Sequence, residues 1–122
     1  MISAATRLRR PGHVPTLIDT AIIANLMADL PGNQIAEVIQ ALLTEIDHQL
    51  AMLRLAQGAP VQRTHAHHLS GLAATVGAAD LAAAAGDFET AILQGRRPDI
   101  EPLLVLASQS REIIEQVVRG ET

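Results

Sequence analysis

The 122-residue chain has no cysteine, no lysine, no tryptophan and no tyrosine, and Phe88 is its one aromatic ring. Without cysteine there is neither a disulfide nor a thiolate metal centre, which fits a reducing compartment. Without aromatics the core has to be assembled from Leu, Ile, Val and Ala, a vocabulary that favours helices over sheets. Without lysine all nine basic residues are arginines, and from residue 11 onward six of them face thirteen acids. That balance, part of a net charge of -4, argues against nucleic acid as the main partner. No apolar run approaches the ~18 residues a membrane span needs, and the N-terminal arginines are not followed by the apolar stretch of a secretory signal. The expectation is a cytoplasmic protein with neither a membrane nor a nucleic acid as partner.

The length fits one domain with a real core. Residues 1–15 carry Arg7, Arg9 and Arg10, are broken by Pro11, Gly12 and Pro15, and read as a mobile basic tail. Residues 16–119 read as a single helical domain. Asp19 is a plausible cap for a short first helix to Leu30, with Ile22, Ile23, Leu26 and Leu30 on one side, closed by Pro31 and Gly32. Asn33 is expected to cap a second helix to about Leu55, whose stripe is Ile35, Ile39, Leu42, Ile46, Leu50 and Leu53. Gln57 to Pro60 break it, a third helix runs to about Val76, and Gly77 marks a tight corner. A fourth helix follows from Ala78 to about Gln94 with Leu81, Ala85, Phe88 and Ile92 inward, and its run of alanines from Ala82 to Ala85 implies close helix approach.

Gly95 to Pro98 form the last loop, Asp99 is the next cap, and Pro102 is tolerated in the first turn of a fifth helix. Leu103, Leu106, Ser110, Ile113 and Val117 are its expected inward face. Short connections make successive helices antiparallel, so the fold class is all-α: an up-down-up-down four-helix bundle with a short extra N-terminal helix across one end.

Function concentrates in residues 64–78, which hold three of the five histidines and no charge. On a helix His65, Leu69, Leu72 and Val76 stack into one core-facing stripe. His67, two residues on from His65, points roughly the opposite way. Around it lie Arg63 one turn before, Ser70 and Gly71 one turn after, and Ala74 beyond them. The imidazole therefore stands over ground cleared of bulk. Gly71 costs about 1 kcal/mol relative to alanine in mid-helix, which suggests that a macromolecule must come close.

Ala66-His67-His68-Leu69-Ser70-Gly71, then Val76-Gly77-Ala78, then Leu81 and Phe88-Glu89, together resemble the signature of histidine-containing phosphotransfer (HPt) domains, A-H-x-L-K-G followed by L-G-A and a downstream L-E or L-Q. The resemblance extends more loosely from Ile18 to Val118. It implies a four-helix bundle and a phosphorelay role in a two-component system. A surface histidine, here His67, takes a phosphoryl group from a response-regulator receiver aspartate or a hybrid kinase and passes it to another receiver. Neutral imidazole is a good nitrogen nucleophile near neutral pH, and the phosphoramidate remains reactive enough to transfer onward. The family's magnesium and charged groups belong to the receiver's acidic pocket, so no cofactor is expected on this chain.

Glu89 matches the family position that holds the imidazole Nδ1–H. Independently, His67 lies ten residues before Gly77 and Glu89 twelve after it, so antiparallel helices bring them to similar height. Ser70 departs from the family lysine that steadies the phosphate. Arg63 or the Ser70 hydroxyl is left to supply that support, with Gly71 and Ala74 as docking ground. The receiver or kinase is expected to dock on the His67 face of helices three and two. No nucleophilic triad, phosphate-binding glycine loop or paired-carboxylate site is visible, so the chain is expected to be a phosphocarrier without autonomous catalytic activity. Two alternatives stand beside this one: a phosphorylation-silent adaptor that binds and modulates a receiver or kinase, motivated by the missing lysine, and a metal-binding helical bundle using His65 and His68. His65 is otherwise a core-edge histidine bonded to a carbonyl, and His13 and His48 look incidental.

Overall fold

Asp19 opens the first helix, α1 (Thr20–Asp29), its carboxylate accepting a hydrogen bond from the Ala21 N–H at 3.0 Å, as an N-cap does for orphan helix donors. The protein, represented by a computed structural model, is described over residues 17–30 and 32–120. The expected basic tail and Pro31 lie outside the described residues. Four longer helices follow: α2 (Gly32–Leu55), α3 (Ala59–Thr75), α4 (Ala79–Leu93) and α5 (Glu101–Arg119). Among the described residues the chain is all-helical with no strand, and no helix is long and apolar enough to cross a membrane. Gly32 is already helical, so α2 begins ahead of Asn33 rather than on it. Asp99 acts as expected at the start of α5, accepting from the Glu101 N–H at 3.0 Å.

The corner between α3 and α4 shows why the chain turns where it does. Ala78 N–H bonds the Ala73 carbonyl at 2.8 Å and Gly77 N–H bonds the Ala74 carbonyl at 3.1 Å. Gly77 takes a left-handed φ of 79°, completing a Schellman motif that satisfies the last carbonyls of α3. The segment before α1 is tied to the same corner, because Asp19 N–H donates to the Gly77 carbonyl at 2.6 Å. A Cβ at position 77 would stand 2.6 Å from the Asp19 carbonyl oxygen and 3.3 Å from Ile22 Cβ, so glycine is required here on two counts.

The helices α3 and α4 make the most extensive contact; α2 packs against α3 and α5, α5 against α4, and α1 against α2. The hydroxyl of Ser70 on α3 reaches the Ala82 carbonyl on α4 at 3.0 Å, a reach that a one-carbon side chain makes only when two backbones lie close. Arg111 on α5 ties itself to α2 through the Leu43 carbonyl at 3.2 Å and the Asp47 carboxylate.

The core follows the expected apolar spacing with three local shifts. On α2 the deeply buried residue is Leu43, with Leu42 half-buried; on α5 it is Ile114, with Leu106, Ile113 and Val117 half-buried. Steps of three and four residues both keep a side chain on one helix face, and the neighbouring helices decide between them. On α3 the inward residues are Ala66, Leu69 and Ala73, with Val76 just past its end, while His65 and Leu72 flank them. Small side chains occupy the centre because only they permit the close approach of α4, and larger ones fill the margins. The α4 stripe of Leu81, Ala85, Phe88 and Ile92 is buried as expected.

Ser110 is buried in this core, and its hydroxyl finds no hydrogen-bond partner among the described residues. An unsatisfied buried hydroxyl carries a desolvation penalty of about 1–3 kcal/mol. Ser110→Ala is therefore expected to stabilise the protein by about 1 kcal/mol and to raise Tm by roughly 4–8 °C in thermal unfolding followed by circular dichroism. A lowered Tm would show that the hydroxyl is satisfied in solution.

Candidate functional site

Helical phase divides the three clustered histidines between different surroundings. His65 turns toward α2, where its Nδ1 lies 2.7 Å from the side-chain carbonyl oxygen of the buried Gln49, whose own amide donates to Glu45 at 3.0 Å. The carbonyl expected for this core-edge histidine is thus supplied by a side chain. Two residues later, a rotation of about 200° carries His67 to the other side, toward α4. Its side chain is 75% exposed, and Nδ1 stands 3.1 Å from Oε1 of Glu89, whose side chain is 23% exposed. His67 therefore belongs to the face shared by α3 and α4, not to the face of helices three and two expected from sequence.

A carboxylate offers only lone pairs, so the ring Nδ1 carries the hydrogen and donates it. In the neutral ring that leaves the lone pair on Nε2, which makes no hydrogen bond to a described residue. The ring is thereby held in one tautomer with its basic nitrogen facing outward. A positive charge developing on the ring during attack by Nε2 would be shared with Nδ1–H, beside the Glu89 carboxylate.

The pair sits in a shallow cleft of about 350 Å³ lined by Arg63, Thr64, His67, His68 and Glu89. Arg63 is exposed and forms no hydrogen bond or ion pair with a described residue, so its guanidinium has all its donors to offer an anion in the cleft. Thr64 spends its hydroxyl on the Pro60 carbonyl at 3.0 Å. Gly71 and Ala74 are exposed, and a Cβ at position 71 would meet nothing within 4 Å. The sequence expectation of a hydroxyl from Ser70 toward phosphate is corrected: its proton is committed to the Ala82 carbonyl, within the contact of α3 and α4.

His68 is exposed and lines the same cleft, whereas His65 is half-buried against α2. No group of three or more His, Asp or Glu side chains among the described residues is arranged to hold a metal ion. Sequence reasoning missed Gln49 and Gly86. Gln49 is a polar side chain buried beside Leu50, and a Cβ at Gly86 would come 3.9 Å from the Ser70 hydroxyl oxygen. Gln49 had left a signal, a polar residue in the apolar stripe of α2; Gly86 had left none beyond its lack of a side chain.

Comparison of this chain with protein-family models, with curated proteins and with solved structures finds no match.

Proposed function

We propose that the protein is a phosphorelay intermediate of the histidine-containing phosphotransfer type, with His67 as the phosphoacceptor. One observation carries this reading: an exposed imidazole whose Nδ1 is held 3.1 Å from a carboxylate on the adjoining helix, leaving Nε2 open above a surface of small residues. In the proposed step the Nε2 lone pair attacks the phosphorus of an aspartyl phosphate on a receiver domain or hybrid kinase. The N–P bond forms as the P–O bond breaks, and the partner's carboxylate leaves with the electron pair. Glu89 holds the Nδ1–H throughout. Transfer to a second receiver reverses these bond changes. The partner's acidic pocket supplies the magnesium, and Arg63, the arginine that lines the His67 cleft among the described residues, is situated to meet a phosphoryl oxygen.

The architecture proposed with this role is an up-down-up-down four-helix bundle of α2 to α5, with α1 across one end. Short connections at 56–58 and 76–78 support it, as does the packing of α2 against α5, which closes the ring of helix contacts. A second reading, a phosphorylation-silent adaptor, draws support from the chain's lack of lysine and from the engagement of the Ser70 hydroxyl.

Incubation with a panel of phosphorylated receivers from the same source separates the two readings. Relay predicts acid-labile, base-stable label on this chain. Stable association with a receiver and no label would overturn relay in favour of the adaptor.

A further inference from the structure

The His67 cleft does not end at Arg63. A second cleft of about 260 Å³ shares Arg63 and continues past Pro60 to Ile92 and Leu93. A third of about 500 Å³ shares Ala59 and Ile92 and opens between the loops at 56–58 and 94–100, where Arg96 and Arg97 line it. The three share lining residues in succession and so adjoin one another along α3 and α4, and this run of clefts is the groove. From His67 back to Ala59 the helix rise alone covers about 12 Å, the length of two helical turns of a ligand.

Charge along this groove runs against that of the molecule. The chain is acidic, yet Arg63, Arg96 and Arg97 line the groove, and its one acidic lining residue, Glu89, is occupied by His67. Arg111 shows what an arginine of this protein does when carboxylates are near, pairing with Asp47 and Glu115. By contrast, Arg63 and Arg97 have no partner among the described residues, and Arg96 meets only the neutral amide of Gln94. A further cleft adjoins the third at Pro98 and is lined by Asp87 and by Asp99, whose carboxylate caps α5. Leu93, 61% exposed at the end of α4, lines the middle cleft with Arg63, although the rest of its helix turns its leucines and isoleucines inward.

We propose that this groove is a docking site for an acidic segment of a partner protein, with an aliphatic side chain set between carboxylates so that it covers Leu93 while the carboxylates meet the arginines. The surface is concave, which suits an inserted segment better than a flat lipid headgroup plane. A nucleic acid would bring phosphates but nothing to cover Leu93, and the groove offers no aromatic ring on which a base could stack. The inference does not require phosphoryl transfer to His67. Charge complementarity of this kind governs encounter rate and partner choice more than affinity.

The test uses the full chain and a fluorescein-labelled, acetylated helical peptide with a leucine between two pairs of glutamates, read by fluorescence anisotropy at low ionic strength, where screening is weak. The expected result is saturable binding, about tenfold or more weaker when the peptide glutamates are replaced by lysine or its leucine by serine. A double Arg96→Glu, Arg97→Glu variant and a separate Leu93→Ser variant should each weaken binding by a similar factor, with circular dichroism confirming that both are folded. Docking is read from peptide anisotropy on the unphosphorylated chain and relay from acid-labile label taken from a phosphorylated receiver, so failure of relay and failure of docking are distinguishable. No saturable binding, equal binding of the lysine peptide, or no loss in the double variant would overturn the proposal. So would tighter binding to phosphatidylglycerol vesicles or to a single-stranded oligonucleotide.

Discussion

His67→Gln is expected to abolish the acid-labile label acquired from a phosphorylated receiver while leaving the helical content and Tm close to those of the parent. The side chain is 75% exposed and its single hydrogen bond to Glu89 is at the surface, so its removal costs stability on the order of 0.5 kcal/mol or less. The chemical loss should be complete, because an amide nitrogen has its lone pair delocalised into the carbonyl and cannot attack phosphorus. The neighbouring histidines make the test specific. His68→Gln should keep the label, since no carboxylate among the described residues orients the His68 ring. His65→Gln should also keep it but lower Tm, because it disrupts the part-buried chain from His65 through Gln49 to Glu45. Label that persists in His67→Gln would overturn the assignment of the phosphoacceptor. Glu89→Gln completes the series: an amide oxygen still accepts from Nδ1–H, so labelling should fall far less than with Glu89→Ala.

The largest effect on folding is expected at Gly77. Valine there must adopt a φ of 79° that L side chains rarely take, and its Cβ must displace the Asp19 carbonyl from 2.6 Å. Left-handed strain costs about 1–2 kcal/mol, and losing the Asp19–Gly77 hydrogen bond adds about 1 kcal/mol. Gly77→Val should therefore lower stability by about 3 kcal/mol and Tm by roughly 12–24 °C. Gly71→Ala should change stability in the opposite direction, by up to about 1 kcal/mol, since a methyl group there enters open space. Two glycines separated by six positions thus answer to different demands, one to backbone geometry and one to clearance over the surface. Equal destabilisation by both substitutions would contradict this division.

The positions of the helices were legible because their ends are written in local chemistry: Asp19 and Asp99 as caps, Pro60 and Pro102 in first turns, Gly77 at a left-handed corner. The depth of individual residues was less legible. A period of 3.6 residues tolerates both Leu42 and Leu43, or both Ile113 and Ile114, and only the neighbouring helix chooses. Hydrophobicity also misjudged α3, where alanines hold the centre because close packing rewards small volume as well as apolarity. The pairing of His67 with Glu89 on α4 was legible from the residue counts on either side of Gly77, whereas the absence of α2 from that cleft depends on the order in which helices surround α3. The adjoining clefts were illegible for a related reason: Arg63, Leu93 and Arg97 come from two helices and a loop, which only folding brings near one another.

The corner at 76–78 also sets how the chain can change length. Each added residue in a helix rotates everything after it by about 100° and advances it about 1.5 Å. Two hydrogen bonds lock the end of α3 to this corner, so an inserted residue cannot be absorbed there and must instead be passed into α4, swinging Glu89 away from His67. The loop at 94–100 opens on the same kind of turn, with Gly95 at a φ of 79° and Arg96 N–H on the Ala91 carbonyl at 2.9 Å, but it follows the last residue of the pair. A residue inserted after Arg97 should therefore leave the pair's register unchanged, whereas the span from His67 to Glu89 must keep its present residue count.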